Sequence, residues 1–133
     1  TNNLNVAALL SGNPNCEVIV AGGVVRTNDQ AIMGEATIDF IRQFKVDIGL
    51  IGISGIEPDG TLRDYDYREV RVARTIIDQS RQVWLAADHT KFSRAAMVEL
   101  ATLEEIDMVF TDQDPPSALS DLMAQHDVTC VVS

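Results

Sequence analysis

Apolar and polar positions along this chain switch repeatedly between helical spacing and short continuous runs. Leu4, Ala7, Ala8 and Leu10 recur at helical spacing over residues 3–11, and Gly12 stands where a helix stops. Cys16 to Ala21 reads as a strand ending in Gly22-Gly23. Over 35–44, Ala36, Phe40, Ile41 and Phe44 fall on one helix face. Asp47 to Ile53 is then nearly all apolar, as expected for a strand buried on both faces.

The segment SGIEPDGTLRDYDY, residues 54–67, reads as a loop around Pro-Asp-Gly, because proline presets φ and glycine accepts a positive one. Asp66 precedes Glu69 by the spacing of a reciprocal N-terminal cap. It predicts a helix over 67–80 with Val70, Ala73, Ile76 and Ile77 inward. Val83 to Ala87 is the next strand, with Trp84 assigned to the core. Met97 to Ala101 fits either a short edge strand or a helical turn. Thr102 with Glu105 caps a brief turn before a strand over Met108 to Thr111. Pro115-Pro116 opens a helix carrying Leu119, Leu122 and Met123, and Val128 to Val132 closes the sheet.

Strands alternating with helical segments predict an α/β fold with a mostly parallel sheet flanked by helices. With 133 residues and 46% hydrophobic content the chain can bury one ordinary core without staples, and no internal repeat divides it. The start at Thr1-Asn2-Asn3, without methionine, reads as part of something longer.

Charge narrows the function. Ten basic and twenty acidic side chains give a formal charge of −10, and the basic ones form no run that would follow a nucleic-acid backbone. Cys16 and Cys130 lie in apolar surroundings and read as buried thiols on core strands in a reducing, cytoplasmic compartment. No apolar run reaches the ~20 residues of a membrane span. The two histidines and two cysteines show no metal-ligand spacing, so neither metal nor cofactor is expected.

In a parallel sheet the carboxyl ends of the strands share one edge, where ligands of open α/β sheets bind. The residues placed there are Gly22-Gly23, then Gly52, Ser54 and Gly55, then Asp88 and Lys91, then Thr111 and Asp112. Glycines admit an anion close to backbone N–H groups, lysine supplies charge and short hydroxyls donate hydrogen bonds, a set suited to a small phosphorylated polyol. Each glycine also has an ordinary explanation as turn punctuation. Asp88 and Lys91 stand open between an exposed pair worth about 0–1 kcal/mol and a half-buried ligand contact. His89 reads as a loop histidine, His126 as a helix-end charge, and Arg63, Arg68, Arg71 and Arg74 as a solvated face.

In order, Thr1-Asn2, Gly22-Gly23 with Gly34, DIGLIGISGI (47–56), Asp59-Gly60-Thr61, ADHTKF (87–92) and FTD (110–112) resemble the carboxy-terminal sensor domain of DeoR-type bacterial repressors. The resemblance spans the whole chain. It implies a Rossmann-like domain akin to ribose-5-phosphate isomerase and the coenzyme A transferases, binding a sugar or polyol phosphate such as glycerol 3-phosphate without catalysis. It places Thr1, Asn2, Gly22, Gly23, Asp47 and Lys91 at the effector, with Asp88 and Glu69 as weaker carry-overs. It also implies a homo-oligomer, tetramer or dimer, with operator DNA held by an amino-terminal winged helix-turn-helix.

That DNA-binding domain and the first sensor strand with its glycine-threonine phosphate loop are missing from this sequence, which therefore reads as a sensor truncated at its N-terminal strand. A phosphosugar isomerase using Lys91 with Asp47 or Glu69 is the alternative from another class, and a purely structural oligomerisation module is the third.

Overall fold

Asn3 starts the first helix, α1 (Leu4–Ser11), its side-chain oxygen accepting from the N–H groups of Asn5 and Val6 at 2.9 and 3.1 Å. The computed structural model describes residues 1–133, which form two compact units, Thr1–Phe44 and Lys45–Ser133. In the first unit α1 is followed by an antiparallel pair, β1 (Val24–Val25) and β2 (Ile32–Met33), and by helix α2 (Glu35–Ile41).

The strand expected over Cys16 to Ala21 does not form. The segment belongs to no ladder, and Ile19 and Val20 are 49% and 41% exposed. Its tie is to Thr1, whose carbonyl accepts from Ala21 N–H at 2.9 Å and whose ammonium donates to Ile19 at 2.8 Å. Apolar composition favours extended backbone, but a strand needs a partner along its length. Helix α2 also stops before Phe44: Gln43 and Phe44 bond three residues back, to Phe40 and Ile41, and this tighter turn ends it.

The second unit is built on a parallel sheet of β3 (Val46–Ile51), β6 (Ser80–Ala86), β8 (Met108–Thr111) and β9 (Thr129–Val132), in the order β3-β6-β8-β9. The expected α/β class is therefore observed. Helix α3 (Tyr67–Asp78) leads into β6 and α4 (Ser117–Gln125) into β9. Asp66 caps α3 by accepting from Arg68 N–H at 2.9 Å. At the other cap, Glu105 accepts from Thr102 N–H at 3.1 Å and holds the turn Leu103–Glu105.

The two faces of this sheet differ. Ile51, Leu85 and Val109 are paired in register, are 5%, 0% and 0% exposed, and join Val70, Ile77, Leu119 and Met123 from the helices in one core. The adjacent row, Leu50, Trp84 and Met108, points the other way, and Leu50 is 60% exposed. The nearly all-apolar run Asp47 to Ile53 had predicted burial on both faces; one is buried. Trp84 is half-buried rather than core, tilted against Phe110 with ring centroids 5.2 Å apart.

A second sheet was not anticipated. β4 (Gly55–Ile56), β5 (Thr61–Asp64) and β7 (Val98–Thr102) form an antiparallel trio in the order β4-β5-β7, so much of the expected loop is a hairpin. Its turn is the predicted Pro-Asp-Gly: Gly60 has φ 88°, and Asp59 accepts from Thr61 N–H at 2.9 Å. The ambiguity at Met97 to Ala101 resolves as an edge strand. The cysteines are free and only partly buried, Cys16 off any strand and Cys130 on the edge strand β9, where one flank lacks a neighbour. Burial raises the Cys130 thiol pKa.

Candidate functional site

The parallel sheet brings the carboxyl ends of β3, β6 and β8 to one rim, and the chain leaves each at a residue singled out by its chemistry. Leu85 is in register between Ile51 and Val109, which sets Gly52 after β3 beside Ala86 of β6, with Phe110 of β8 on the far side of Ala86. A depression of about 370 Å³ opens here, lined by Ala86, Asp88, Lys91, Phe110, Thr111 and Asp112 among others.

The segment after β6 turns sharply over His89–Lys91. Asp88 accepts from Thr90 N–H at 2.8 Å and from the Thr90 hydroxyl at 2.5 Å, so it caps the turn. The bond from the Thr90 hydroxyl, and then that from its N–H, hold the Asp88 carboxyl below the usual aspartate range. From the neighbouring strand Asp112 reaches over, taking His89 N–H on Oδ1 and facing His89 Nδ1 with Oδ2, both at 2.7 Å. The His89 side chain is likewise the main cause of the lowered Asp112 pKa.

These bonds occupy the N–H groups at the start of the turn, while Lys91 N–H donates to the Asp88 carbonyl at 3.0 Å. An anion on this rim is therefore met by side chains. Lys91 is the available one: its side chain is 27% exposed, and its nearest carboxylate, Asp88, lies 3.8 Å away, beyond hydrogen-bond length.

The hairpin closes over the same turn. Ile56 bridges to Phe92, Ser93 N–H donates to the Ile56 carbonyl at 2.8 Å, and a Cβ on Gly55 would drive into the Arg94 carbonyl. Ser54 donates to Asp64 Oδ1 at 2.9 Å. Gly55 and Ile56 thus lie against the segment that follows Lys91, while the lining of the depression includes Asp88 and Lys91 but not Gly52, Ser54 or Gly55.

Asp47 is not gathered there. It is the second residue of β3, and a run of five residues to Gly52 at ~3.3 Å each puts it about 16 Å away along the strand. Its side chain is 91% exposed and lies 3.3 Å from Arg81. Glu69 sits in the first turn of α3.

Thr1, Asn2, Gly22 and Gly23 cluster within the first unit. The Asn2 side chain donates to the Ile32 carbonyl at 3.1 Å, and the Gly22 carbonyl accepts from the Thr37 hydroxyl at 2.7 Å. Any Cβ on Gly23 would strike Thr37. Those polar groups are engaged in holding the unit together.

Two features escaped the sequence reading. The His89–Asp112 latch had its signal in Asp112 placed on the rim beside a histidine, which alone specified no pairing. Asp64 lay inside a segment read as loop, where alternation with Leu62 was the only cue. No group of three or more histidine, cysteine, aspartate and glutamate side chains is arranged to hold a metal ion. No helix is long and apolar enough to cross a membrane.

Residues 1–113 match the family model described as the DeoR C terminal sensor domain. The chain is 48% identical over 128 residues to the glycerol-3-phosphate regulon repressor of Escherichia coli, covering 96% of this chain and 51% of that protein. The repressor of the same name from Haemophilus influenzae is 49% identical over 125 residues, 94% of this chain and 49% of its own length. The HTH-type transcriptional repressor CsqR of Escherichia coli is 34% identical over 132 residues, 99% and 51%. The chain spans about half the length of these relatives, which are named as regulators of transcription and not as enzymes.

Proposed function

This chain belongs to the family of DeoR C-terminal sensor domains, and from that premise we propose that it senses a small phosphorylated polyol, glycerol 3-phosphate or a close analogue. The protein containing it acts as a cytoplasmic, homo-oligomeric repressor, tetrameric or dimeric, and its operator contacts are made by a helix-turn-helix domain outside these residues. The observation that carries the reading is Lys91, half-buried on the carboxyl rim of a parallel sheet, with Asp88 at 3.8 Å as its ion-pair partner and no carboxylate within hydrogen-bond length. An ammonium in that setting gains more from a phosphate than from solvent.

Gly52, Ser54 and Gly55 bring backbone and hydroxyl groups to the same rim, and Asp88 sets the conformation of the turn that presents Lys91. Asp112 holds that turn from β8. Effector would favour one of two conformations of the intact protein, and a coupling of ~1–3 kcal/mol changes operator affinity by roughly 5- to 150-fold.

Calorimetry of the full-length protein with glycerol 3-phosphate tests this directly. Lys91→Ala is expected to weaken binding by roughly 10- to 100-fold, the loss of one charge-assisted hydrogen bond. Unchanged affinity in the variant would remove Lys91 from the effector site, and turnover of a phosphosugar would restore the enzymatic alternative.

A further inference from the structure

A buried acid on the hairpin that packs against the segment after Lys91 calls for an explanation. Asp64 ends β5, on the same face as the fully buried Leu62, and is 6% exposed. No arginine, lysine or histidine lies in ion-pair contact with it. Its neighbour Arg63 points to the opposite face of the strand, where it meets Glu57 at 3.0 Å.

The protein's hydrogen bonds to this carboxyl all arrive at one oxygen: Oδ1 accepts from Ser54 Oγ at 2.9 Å and from Tyr65 N–H at 2.7 Å. Oδ2 has no protein donor, and unlike Arg63 Nε it is not sealed from solvent. A carboxyl group buried without a cation is costly, so its presence calls for a donor that the folded chain does not supply.

We propose that Asp64, oriented by Ser54, is a specificity residue of the effector site and accepts hydrogen bonds from the hydroxyl groups of the effector's carbon chain. The inference rests on the phosphorylated-polyol reading above and deepens it. Ser54 follows β3 at the rim, and the next residues, Gly55 and Ile56, contact the segment Phe92–Arg94 that directly follows Lys91. Under this proposal the acid on the hairpin and the lysine just before that segment form the two chemically opposite ends of the site.

A carboxylate repels phosphate and accepts from hydroxyls, so phosphate belongs at Lys91 and the polyol tail at Asp64. The same charge disfavours a phosphate ester whose tail carries a carboxylate. Rejection of such a compound would come from repulsion as much as from lost contacts.

The test is calorimetry of the full-length protein, its Asp64→Asn and Ser54→Ala variants, with glycerol 3-phosphate, propyl phosphate and 3-phosphoglycerate. The parent is expected to prefer glycerol 3-phosphate over propyl phosphate by roughly tenfold or more, the value of hydroxyl contacts made to a charged acceptor. Asp64→Asn should reduce that preference to within about threefold and strengthen 3-phosphoglycerate binding, with propyl phosphate unchanged. Ser54→Ala, which keeps the acid and removes its orienting bond, should fall between them, and decides the matter if Asp64→Asn does not fold. A parent indifferent to the missing hydroxyls, or variants that keep the full preference, would overturn the role of Asp64 while leaving the sensor reading intact. Failure of the parent to bind any of the phosphate esters would instead sink that earlier reading and this one with it.

Discussion

Leu50 and Leu85 occupy neighbouring strands of the parallel sheet and face opposite ways, 60% and 0% exposed. Replacing each by alanine therefore has unequal consequences. Leu85→Ala removes packing from the centre of the core and should cost ~2–5 kcal/mol, whereas Leu50→Ala should fall within about 0.5 kcal/mol of the parent. Urea unfolding of the two variants measures both, and equal losses would show that the face carrying Leu50 is packed. Gly55 makes a different point. Its missing side chain is what lets the hairpin lie against the Arg94 carbonyl, so Gly55→Ala should destabilise by ~1–3 kcal/mol through a forced backbone shift. Asp88, Lys91, Thr111 and Asp112, which line the depression, were legible because strand ends follow from apolar runs and their breaks. The sequence did not disclose Asp64, since the depth of a carboxyl group in a fold depends on which strands pair around it.

Among the elements, α3 was largely readable in advance because its apolar positions and its cap are local, although it ends at Asp78 rather than at residue 80 and also buries Val72 and Thr75. Asp66→Ala should remove the bond from Arg68 N–H and cost about 1 kcal/mol, read from thermal or urea unfolding. The hairpin was not readable: β4 has two residues, and β5 is anchored by β7, more than thirty residues further on. Cys16 to Ala21 erred in the other direction, with strand-forming residues but no ladder. The turn His89–Lys91 hangs on Asp88 and Asp112, both with pKa values below the usual 3.8 because of their bonds to Thr90 and to His89. For a carboxyl depressed in the folded state, the stabilisation is fully present above 3.8. It is lost as pH falls from there through the folded-state values. Amide resonances of His89 and Thr90 should accordingly move together as pH falls below 3.8. In Asp112→Asn the His89 response should disappear and the Thr90 response remain; a movement of His89 that survives the substitution would show that Asp112 does not hold the turn.

For the molecule as a whole, charge decides which partners this part of the polypeptide can meet. The formal charge is −10, and Arg26, Arg42, Arg63, Arg68, Arg74, Arg81 and Lys91 each lie within 4.0 Å of a carboxylate. Arg74 is held most fully, between Glu105 at 2.8 Å and Asp78 at 3.0 Å; the Glu105 bond foremost raises its pKa. Most of the basic side chains are thus already neutralised by neighbours in an excess of acid. Binding to duplex DNA requires cations that displace condensed counterions, and an acidic surface opposes approach more strongly as salt is lowered. A phosphate ester escapes this constraint because it needs only one local cation inside a crevice, whereas a duplex presents charge over a whole face. Residues 1–133 by themselves should therefore leave the anisotropy of a labelled operator duplex unchanged at protein concentrations of ~10⁻⁵ M and about 50 mM salt, conditions under which a protein with a basic face binds even non-specific DNA. Binding that weakened steeply between about 50 and 200 mM salt would reveal a cationic surface that the ion pairs leave free, and would place DNA contacts within the sensor itself.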